Sequence, residues 1–569
     1  MYNRFFRKIK KRIERKHKDI DPEDIFLDST NLPGFTINRF EGRIEKPISS
    51  ITFLLIKGTL VLLLILFFIR LWNLNIVNGE NFKKISENNR LAHTLIFANR
   101  GVIYDRNKVE LATNVIKQGN ADFAERLYVS TEGLSHVVGY VKYPSKDSSG
   151  FYYEEEYRGQ SGVEKTYNNI LKGTNGLKIT ETNALGHITS ESVVRKPEDG
   201  QDLVLSIDSR LNEELYMAMK NIKETRGFTG GAGAIMDVNT GEILALSSFP
   251  GFNQNLVTLG EDRKEISRLF TSKDKPFLDR AVSGLYTPGS IVKPIIGLAV
   301  LQENIISPDK QILSTGTLIV PNPYDKTKPT IYKDWRVNGW TDLREALAVS
   351  SDVYFYVVGG GFEGQKGLGI NNIDRYFEMF GMTEKTGIDL PGESEGVIPS
   401  PEWKKENFNG EPWRLGDTYI TSIGQYGTQV TILEALRWTG AIANKGTLLV
   451  PSVILGGKSP NARVFRTIDL PDNVWNVVRE GMRRGVETGI VSALKTPAVS
   501  IAAKTGTAEL GALKNRVNSW SVGFFPFEKP KYAFAVLMEN GPADNPVGAT
   551  YAMQEVVNWM ILNTPEYIK

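Results

Sequence analysis

Ser290 and Lys293 form the first pair of residues whose types and spacing could support nucleophilic catalysis. They lie in the segment TPGSIVK, where Thr287 is expected to cap a helix that has Pro288 at its first position. Side chains three residues apart on a helix share a face, so a neutral lysine could take the serine proton. The pair alone is equally compatible with a helix cap followed by a solvated lysine.

A second group, Ser350-Ser351-Asp352, follows the helical run DLREALAV about 60 residues later. Ser350 could relay a proton between Lys293 and a leaving amine. Asp352 could hold Lys293 in place or bind the backbone of a substrate. This group is weak evidence by itself, because Ser and Asp are common at the ends of ordinary helices.

A third group, Lys504-Thr505-Gly506-Thr507, lies within an apolar strand. Its cation and hydroxyls could bind a substrate carboxylate, and Gly506 leaves room for a substrate backbone. Lys504 could also lower the pKa of Lys293 by charge repulsion. The alternative is an edge strand that a lysine protects from unwanted pairing.

The order S-x-x-K, S-S-D, K-T-G on a helix start, a loop and a strand makes coincidence improbable. S-x-x-K with a later K-T-G is a signature of serine enzymes of the β-lactamase and penicillin-binding type. Acyl transfer through Ser290 is therefore predicted, with the N–H groups of Ser290 and Thr507 as oxyanion-hole candidates. The chain contains no Cys, which excludes thiol nucleophiles. A Ser-His-Asp triad fits badly, because every histidine (His17, His93, His136 and His187) precedes Ser290.

The elements that must position these residues can be read from the apolar pattern. Residues 208–225 predict a helix, and GAGAIMDVNTGEILALSSF predicts a β-hairpin. SIAAKTGTAE, SWSVGFFPF and KYAFAVLMENG predict three more strands, and ATYAMQEVVNWMIL a closing helix. The expected class is α+β: a five-stranded antiparallel sheet flanked by helices, with a helical insertion between its second and third strands.

The N-terminal part predicts one membrane segment. Residues 51–72 are almost wholly apolar, with one lysine, Lys57, near their start, and a dense basic run lies upstream. Basic flanks stay inside, so the tail (1–50) should be cytoplasmic and the rest external. We therefore predict a single-pass anchor at 51–72, an extended pedestal at 73–204 and a catalytic domain at 205–569. A net charge of +3 gives no reason to expect a nucleic-acid partner.

From about Ala98 to its end, the chain resembles class B penicillin-binding proteins, and most closely their elongation (rod-type) branch, penicillin-binding protein 2. The segments that carry the resemblance are RGVIYDRN, GQSGVEKTYNNILKG, TGIDLPGE, WRLGDTYITSIGQYGTQVT and AAKTGTAE. The resemblance implies a D,D-transpeptidase of the bacterial cytoplasmic membrane that cross-links peptidoglycan stem peptides. Ser290 would attack the penultimate D-Ala carbonyl, and β-lactams would acylate the same serine.

The resemblance also implies a partner, a multi-pass membrane glycosyltransferase of the rod complex. Asp352, where the division branch usually has Asn, favours the elongation branch. A division-specific transpeptidase of the same class and a β-lactam-binding sensor or scaffold are the alternatives.

Two features depart from the family pattern. The head region of the pedestal is much shorter than usual, so contacts attributed to it need not apply here. Some rod-type members carry an Asp/His/Cys metal cluster near the segment that contains Asp334 and Trp335. Because Trp340 follows Gly339 where His is frequent, and Cys is absent, no metal is expected. No other cofactor is expected either.

Overall fold

A computed structural model describes most of the chain after its N-terminal tail. The described residues are 49–83, 91–116, 122–129, 131–182, 188–322, 325, 327–457, 463–511 and 513–568. Of the predicted cytoplasmic tail, 1–50, residues 1–48 lie outside the described residues. The chain divides after Arg90 into two compact units.

The first unit contains one long apolar helix, α1, at Ser50–Trp72. Ser49 caps it, because its Oγ accepts a hydrogen bond from the backbone N–H of Thr52 at 3.3 Å. Its 23 residues extend over about 35 Å, more than the ~30 Å hydrocarbon core of a bilayer. By length and composition α1 can cross a membrane, and the described residues contain no second helix of this kind.

In the second unit, residues 91–204 form small sheets around a buried ion cluster. Glu164 lies 2.6 Å from Arg100 and 2.8 Å from Arg126, and all three side chains are inaccessible to solvent. Burial would raise the pKa of Glu164, but the two guanidinium groups outweigh it and lower the pKa. Removing Glu164 would leave two buried guanidinium groups without a carboxylate partner, so this residue holds the small elements together.

The strands of this region pair as follows. One sheet contains Leu91–Ile96, Gly176–Thr182 and Ile188–Arg195; another contains Leu203–Val204, Ile103–Tyr104, Glu110–Val115 and Glu125–Tyr128. Shorter pairs are Val141–Lys142 with Arg158–Gly159 and Ser145–Lys146 with Tyr152–Glu154. The short helices are Ser135–Val138, Gly162–Thr166 and Asn168–Leu171.

The main sheet confirms the predicted fold class. Its strands are β1 (Gly230–Asp237), β2 (Ile243–Phe249), β3 (Ala502–Leu510), β4 (Arg516–Phe525) and β5 (Tyr532–Pro542). They are antiparallel in the order β2-β1-β5-β4-β3. β3, which carries Lys504 to Thr507, is therefore an edge strand, and no strand of the described residues pairs with its outer side.

Local side chains determine where these elements turn. Asp237 closes the predicted β1–β2 hairpin, because its Oδ1 accepts the N–H groups of Asn239 and Thr240 at 2.8 and 3.0 Å. Gly241 follows with φ +75°, a conformation in which glycine is favoured. Before this hairpin, Asp208 caps the helix Ser209–Arg226 through the N–H of Arg210.

Helices cover both faces of the sheet and fill the insertion between β2 and β3. They are α2 (Ser209–Arg226), α3 (Lys293–Gln302), α4 (Leu343–Val349), α5 (Asp352–Gly360), α6 (Ile432–Ala443), α7 (Asp472–Glu487) and α8 (Ala549–Asn563). α2 and α8 share one buried apolar cluster with β5, to which Leu215, Val536 and Met553 belong. α6 packs on the opposite face through the cluster that contains Trp438 and Leu537.

The insertion is helical as predicted, but it also contains short strands. Its smaller helices are Gln254–Leu259, Arg263–Thr271, Ile370–Met379, Pro401–Asn407 and Leu415–Thr421. Ile312–Ser314 pairs with Gly339–Thr341, and within that loop Thr317–Val320 pairs with Thr330–Lys333. A further pair joins Thr447–Leu449 to Val464–Thr467. The sequence did not predict these pairs, because three or four residues carry too little periodicity.

Asp374, in the helix Ile370–Met379, predicts a pH-dependent cost to stability. Its Oδ1 is buried without a hydrogen-bond partner among the described residues. Burial, with smaller effects of Glu378 and Glu402, raises its pKa to about 7. The folded state therefore holds a proton that the unfolded state releases near pH 4, so stability falls as pH rises from about 4 to about 7. Asp374→Asn should raise the melting temperature by ~2–4 °C at pH 8, and by clearly less at pH 4.

The control for this prediction is Asp469→Asn, at an exposed aspartate. Its melting temperature should follow that of the wild type at both pH values. If Asp374→Asn raised the melting temperature equally at pH 4 and pH 8, proton release could not be the explanation.

Candidate active site

Ser290 lies in a tight turn at the edge of β3. A 3₁₀ turn, Gly289–Val292, precedes α3, and the α-helix begins at Lys293. The prediction that Thr287 caps this helix, with Pro288 as its first residue, is wrong: the turn begins after Pro288 and has no side-chain cap. Gly289 adopts φ +57° and donates its N–H to Gly424 O at 3.0 Å, so tertiary contact determines where the helix begins.

The hydroxyl of Ser290 is available for reaction. Ser290 is partly exposed, and Oγ forms no hydrogen bond within the described part of the chain. Its backbone N–H belongs to the first turn, whose N–H groups have no partner within the helix. Position and exposure therefore suit a nucleophile that a substrate can approach.

Lys293 is fully buried at the start of α3. Its Nζ donates to Asp352 Oδ1 at 2.6 Å, to Ser350 O at 2.8 Å and to Ser350 Oγ at 3.4 Å. It also lies 5.3 Å from the ring centroid of Phe355. These contacts fix the amine in place, and Lys293 follows Ser290 by three residues, about one turn of helix.

Ser350 occupies a strained turn between α4 and α5. Its φ of +59° lies in the left-handed region, which a serine adopts only at some cost. The side chain is 5% exposed, and its Oγ accepts a hydrogen bond from Lys504 Nζ at 2.7 Å. Ser350 thus lies between the two lysines and can pass a proton between them.

Lys504 is fully buried on β3 and donates to Ser350 Oγ at 2.7 Å and Thr505 O at 2.8 Å. Burial first, and the positive charge of Lys293 second, hold the pKa of Lys504 well below its usual value, while Asp352 opposes the shift. The sequence predicted that Lys504 would lower the pKa of Lys293. That effect on Lys293 stays a prediction.

The outer edge of β3 presents main-chain groups to the site. Thr507 O accepts from the side-chain amide of Gln425 at 3.5 Å, and it lies close to Gly289. In a strand the N–H and C=O of one residue point to the same side, so the N–H of Thr507 also points away from β4. It lies on the side of Ser290, where an oxyanion hole requires a donor.

The side chains of β3 alternate across the strand. Lys504 and Gly506 are buried, whereas Thr505 is partly exposed and Thr507 is exposed. A Cβ at position 506 would lie 2.6 Å from Pro288 O, so Gly506 is required by the turn that carries the serine. The two threonine hydroxyls form no hydrogen bond within the described residues and remain free for a ligand.

Asp334 was considered only as part of a metal cluster, and its surroundings do not suit a metal ion. Its Oδ2 already accepts the hydroxyls of Ser314 and Ser351, at 2.9 and 2.8 Å, and the N–H of Val353 at 3.1 Å. Burial would raise the pKa of Asp334, but these hydrogen bonds outweigh it and lower the pKa. In the described ranges no group of three His, Cys, Asp or Glu residues could hold a metal.

The structure brings the predicted residues into one site. Four of those assigned to catalysis are joined by hydrogen bonds: Lys293, Ser350, Asp352 and Lys504. Ser290 lies in the turn directly before Lys293. Thr505, Gly506 and Thr507 line its edge strand. The sequence analysis did not identify Gln425, which contacts Thr507 from a loop, because one glutamine in a loop carries no local signal.

Comparison with known proteins gives matches over most of the chain. The family model of the penicillin binding protein transpeptidase domain matches residues 231–557, and that of the penicillin-binding protein dimerisation domain matches residues 121–205. Peptidoglycan D,D-transpeptidase MrdA of Acinetobacter baumannii is 33% identical over 447 residues. That alignment covers 73% of this chain and 63% of the relative, so this chain spans less than two thirds of that relative's length.

Solved structures show the same similarity. Pseudomonas aeruginosa PBP2 in complex with WCK 5153 is 32% identical, with a TM-score of 0.66 over 82% of this chain and 97% of that chain. A chain of a peptidoglycan synthase complex that coordinates polymerization and crosslinking is 25% identical to this chain. Its TM-score is 0.68, over 90% of this chain and 98% of that chain.

Proposed function

Because this chain belongs to the penicillin-binding protein transpeptidase family, we propose that it is a peptidoglycan D,D-transpeptidase of cell-wall elongation. The family resemblance predicted from the sequence motifs is confirmed. The observation that best supports the activity is the unbroken set of contacts from Asp352 through Lys293 and Ser350 to Lys504, beside Ser290. The elongation role is supported by the similarity to MrdA and PBP2 and by Asp352 in the second motif.

The first half of the reaction forms an acyl-enzyme. Ser290 Oγ attacks the penultimate D-Ala carbonyl of a stem peptide, and a neutral Lys293 amine takes the hydroxyl proton. The N–H groups of Ser290 and Thr507 stabilise the oxyanion. When the C–N bond breaks, Ser350 relays a proton to the leaving nitrogen, and D-alanine departs.

The second half transfers the acyl group. The amine of a neighbouring stem peptide attacks the ester carbon and loses a proton to the Lys293 and Ser350 pair. The new C–N bond forms the cross-link, the bond between the acyl carbon and Ser290 Oγ breaks, and Lys293 returns a proton to Oγ. Each side chain returns to its starting protonation state, so the residues of the site need no cofactor.

Substrate binding falls to β3. The hydroxyls of Thr505 and Thr507 donate to the stem carboxylate, and Lys504 Nζ supports this strand through its hydrogen bond to Thr505 O. Gly506 lets the serine turn and the strand approach each other, so that nucleophile and carboxylate site lie a few ångströms apart. β-Lactams enter the same groove and acylate Ser290.

The cellular setting follows from the N-terminal part. α1 is a single-pass anchor, and the basic run before it keeps residues 1–50 inside the cytoplasm. Residues 73–204 form the pedestal, and 205–569 form the transpeptidase domain outside the bacterial cytoplasmic membrane. The partner is a multi-pass membrane glycosyltransferase of the rod complex, by analogy with the related synthase complex. The division-specific transpeptidase and the β-lactam sensor are the competing functions.

Reaction with its own substrate is the test of this function. The purified full chain is mixed with glycan strands that carry stem peptides ending in D-Ala-D-Ala. We expect release of D-alanine and cross-linked stem dimers, detected by mass spectrometry after glycan digestion. Protein treated first with penicillin is the control and should give neither product. Penicillin labelling without either product would instead identify a sensor.

A further inference from the structure

The turn that carries Ser350 requires an external constraint. Ser350 adopts a left-handed conformation, and Asp352 begins the next helix at once. A serine adopts this conformation only at a cost in free energy, so the turn alone would relax towards other conformations. Relaxation would move Ser350 Oγ away from Lys504 and Asp352 away from Lys293.

Asp334 holds one side of this turn. The residue is 9% exposed, and its Oδ2 accepts from Ser351 Oγ at 2.8 Å and from the N–H of Val353 at 3.1 Å. These residues alternate with Ser350 and Asp352 along the chain. A carboxylate that binds both neighbours of Asp352 fixes the direction in which α5 leaves the turn. Ser314 Oγ, from a different strand, holds the same oxygen in place at 2.9 Å.

Trp335 holds the other side. Its indole Nε1–H donates to Val349 O at 3.1 Å, the carbonyl just before Ser350. The Trp335 backbone N–H donates to Asp334 Oδ1 at 2.9 Å, so the two residues hold each other's orientation. Trp335 is nonetheless 53% exposed, which is more than a purely packing role explains.

We propose that Asp334 and Trp335 are positioning residues that clasp the turn at Ser350 from both sides and keep the proton relay assembled. The inference rests on the proposed function, since it assigns residues that act through Ser350 and Asp352. It also explains how this chain keeps the turn in place without a metal ion. Hydroxyl and N–H donors occupy the Asp334 carboxylate, where a metal cluster would need further acidic, His or Cys ligands.

The test is the rate of acylation by a fluorescent penicillin, separated into non-covalent binding (K) and the covalent step (k2). The full chain is compared with Trp335→Phe, which loses one hydrogen bond, and with Asp334→Ala and Asp334→Asn. We expect k2 to fall about threefold to tenfold in Trp335→Phe. It should fall about a hundredfold in Asp334→Ala, in which the relay is misplaced. Asp334→Asn should lie between Asp334→Ala and the wild type, and K should stay unchanged.

Trp340→Phe is the matched control, because Trp340 is 62% exposed on a nearby strand and should leave k2 unaltered. If Asp334→Ala fails to fold, Trp335→Phe provides the test. Residue 335 is half exposed, so this variant should fold. Equal k2 values in Trp335→Phe, Asp334→Asn and Trp340→Phe would contradict the proposed positioning role of Asp334 and Trp335. Loss of wild-type labelling after chelation would overturn it too, by revealing a metal. Absence of label on the untreated wild type would instead overturn the proposed function.

Discussion

Ser290→Ala is expected to abolish covalent labelling by a fluorescent penicillin, by a factor of about 10⁴ or more. The label forms when a serine oxygen opens the β-lactam ring, and alanine has no such oxygen. The fold should be unaffected, because Ser290 Oγ forms no hydrogen bond within the described part of the chain. The free energy of unfolding should therefore change by less than about 0.5 kcal/mol. Gel fluorescence measures the label, and peptide mass spectrometry locates it.

Ser307→Ala is the control, at an exposed serine outside the site, and it should label like the wild type. Residual covalent label on a folded Ser290→Ala variant would show that a different residue is the nucleophile. In that case the site would keep its geometry, but the roles assigned to Lys293 and Ser350 would have to be reassigned.

Substitution of Lys293 has the second largest expected effect, a fall in the acylation rate of about 10³–10⁴-fold for Lys293→Met. Methionine keeps most of the side-chain length but accepts no proton. Lys293→Arg should be almost as slow, because a guanidinium stays protonated under all practical conditions. If Lys293 served only as a positive charge for Asp352, arginine would restore much of the rate. Stopped-flow measurement of acylation distinguishes the two roles.

The Lys293 variants need a stability control, since the lysine is buried and paired at 2.6 Å with Asp352. Lys293→Met leaves that carboxylate without its partner, at a cost of about 1–3 kcal/mol. Lys293→Met combined with Asp352→Asn removes the unpaired charge and should recover part of the melting temperature. The acylation rate should stay low in the double variant. Recovery of both properties together would show that Lys293 acts through stability alone.

The sequence predicted the main sheet because its strands are apolar runs of ordinary length bounded by turn residues. The site residues were identified because three short motifs occur in the expected order. Their mutual contacts were not readable from sequence, since Lys504 reaches Ser350 across 154 positions. The lowered pKa of Lys504 depends first on burial, and burial follows from tertiary structure.

The wrong prediction at Thr287 has a physical cause of the same kind. Local propensity favours a capped helix with proline at its first position. In the fold, a Cβ at Gly289 would lie 2.7 Å from Thr507 O, so a contact with β3 places the glycine in the left-handed region. Asp334 and Trp335 were missed as positioning residues for a related reason. Their hydrogen bonds reach residues 14 to 19 positions away, across an intervening strand.

The free outer edge of β3 has a consequence for the evolution of drug resistance. Point mutations replace side chains, but every residue except proline keeps its main-chain N–H group. Under the proposed function, the Thr507 N–H that binds a stem peptide is therefore presented equally to any β-lactam that copies the peptide. Selection against the drug therefore acts indirectly. It can shift the strand, change Gln425 beside Thr507 O, or slow acylation through the turn at Ser350.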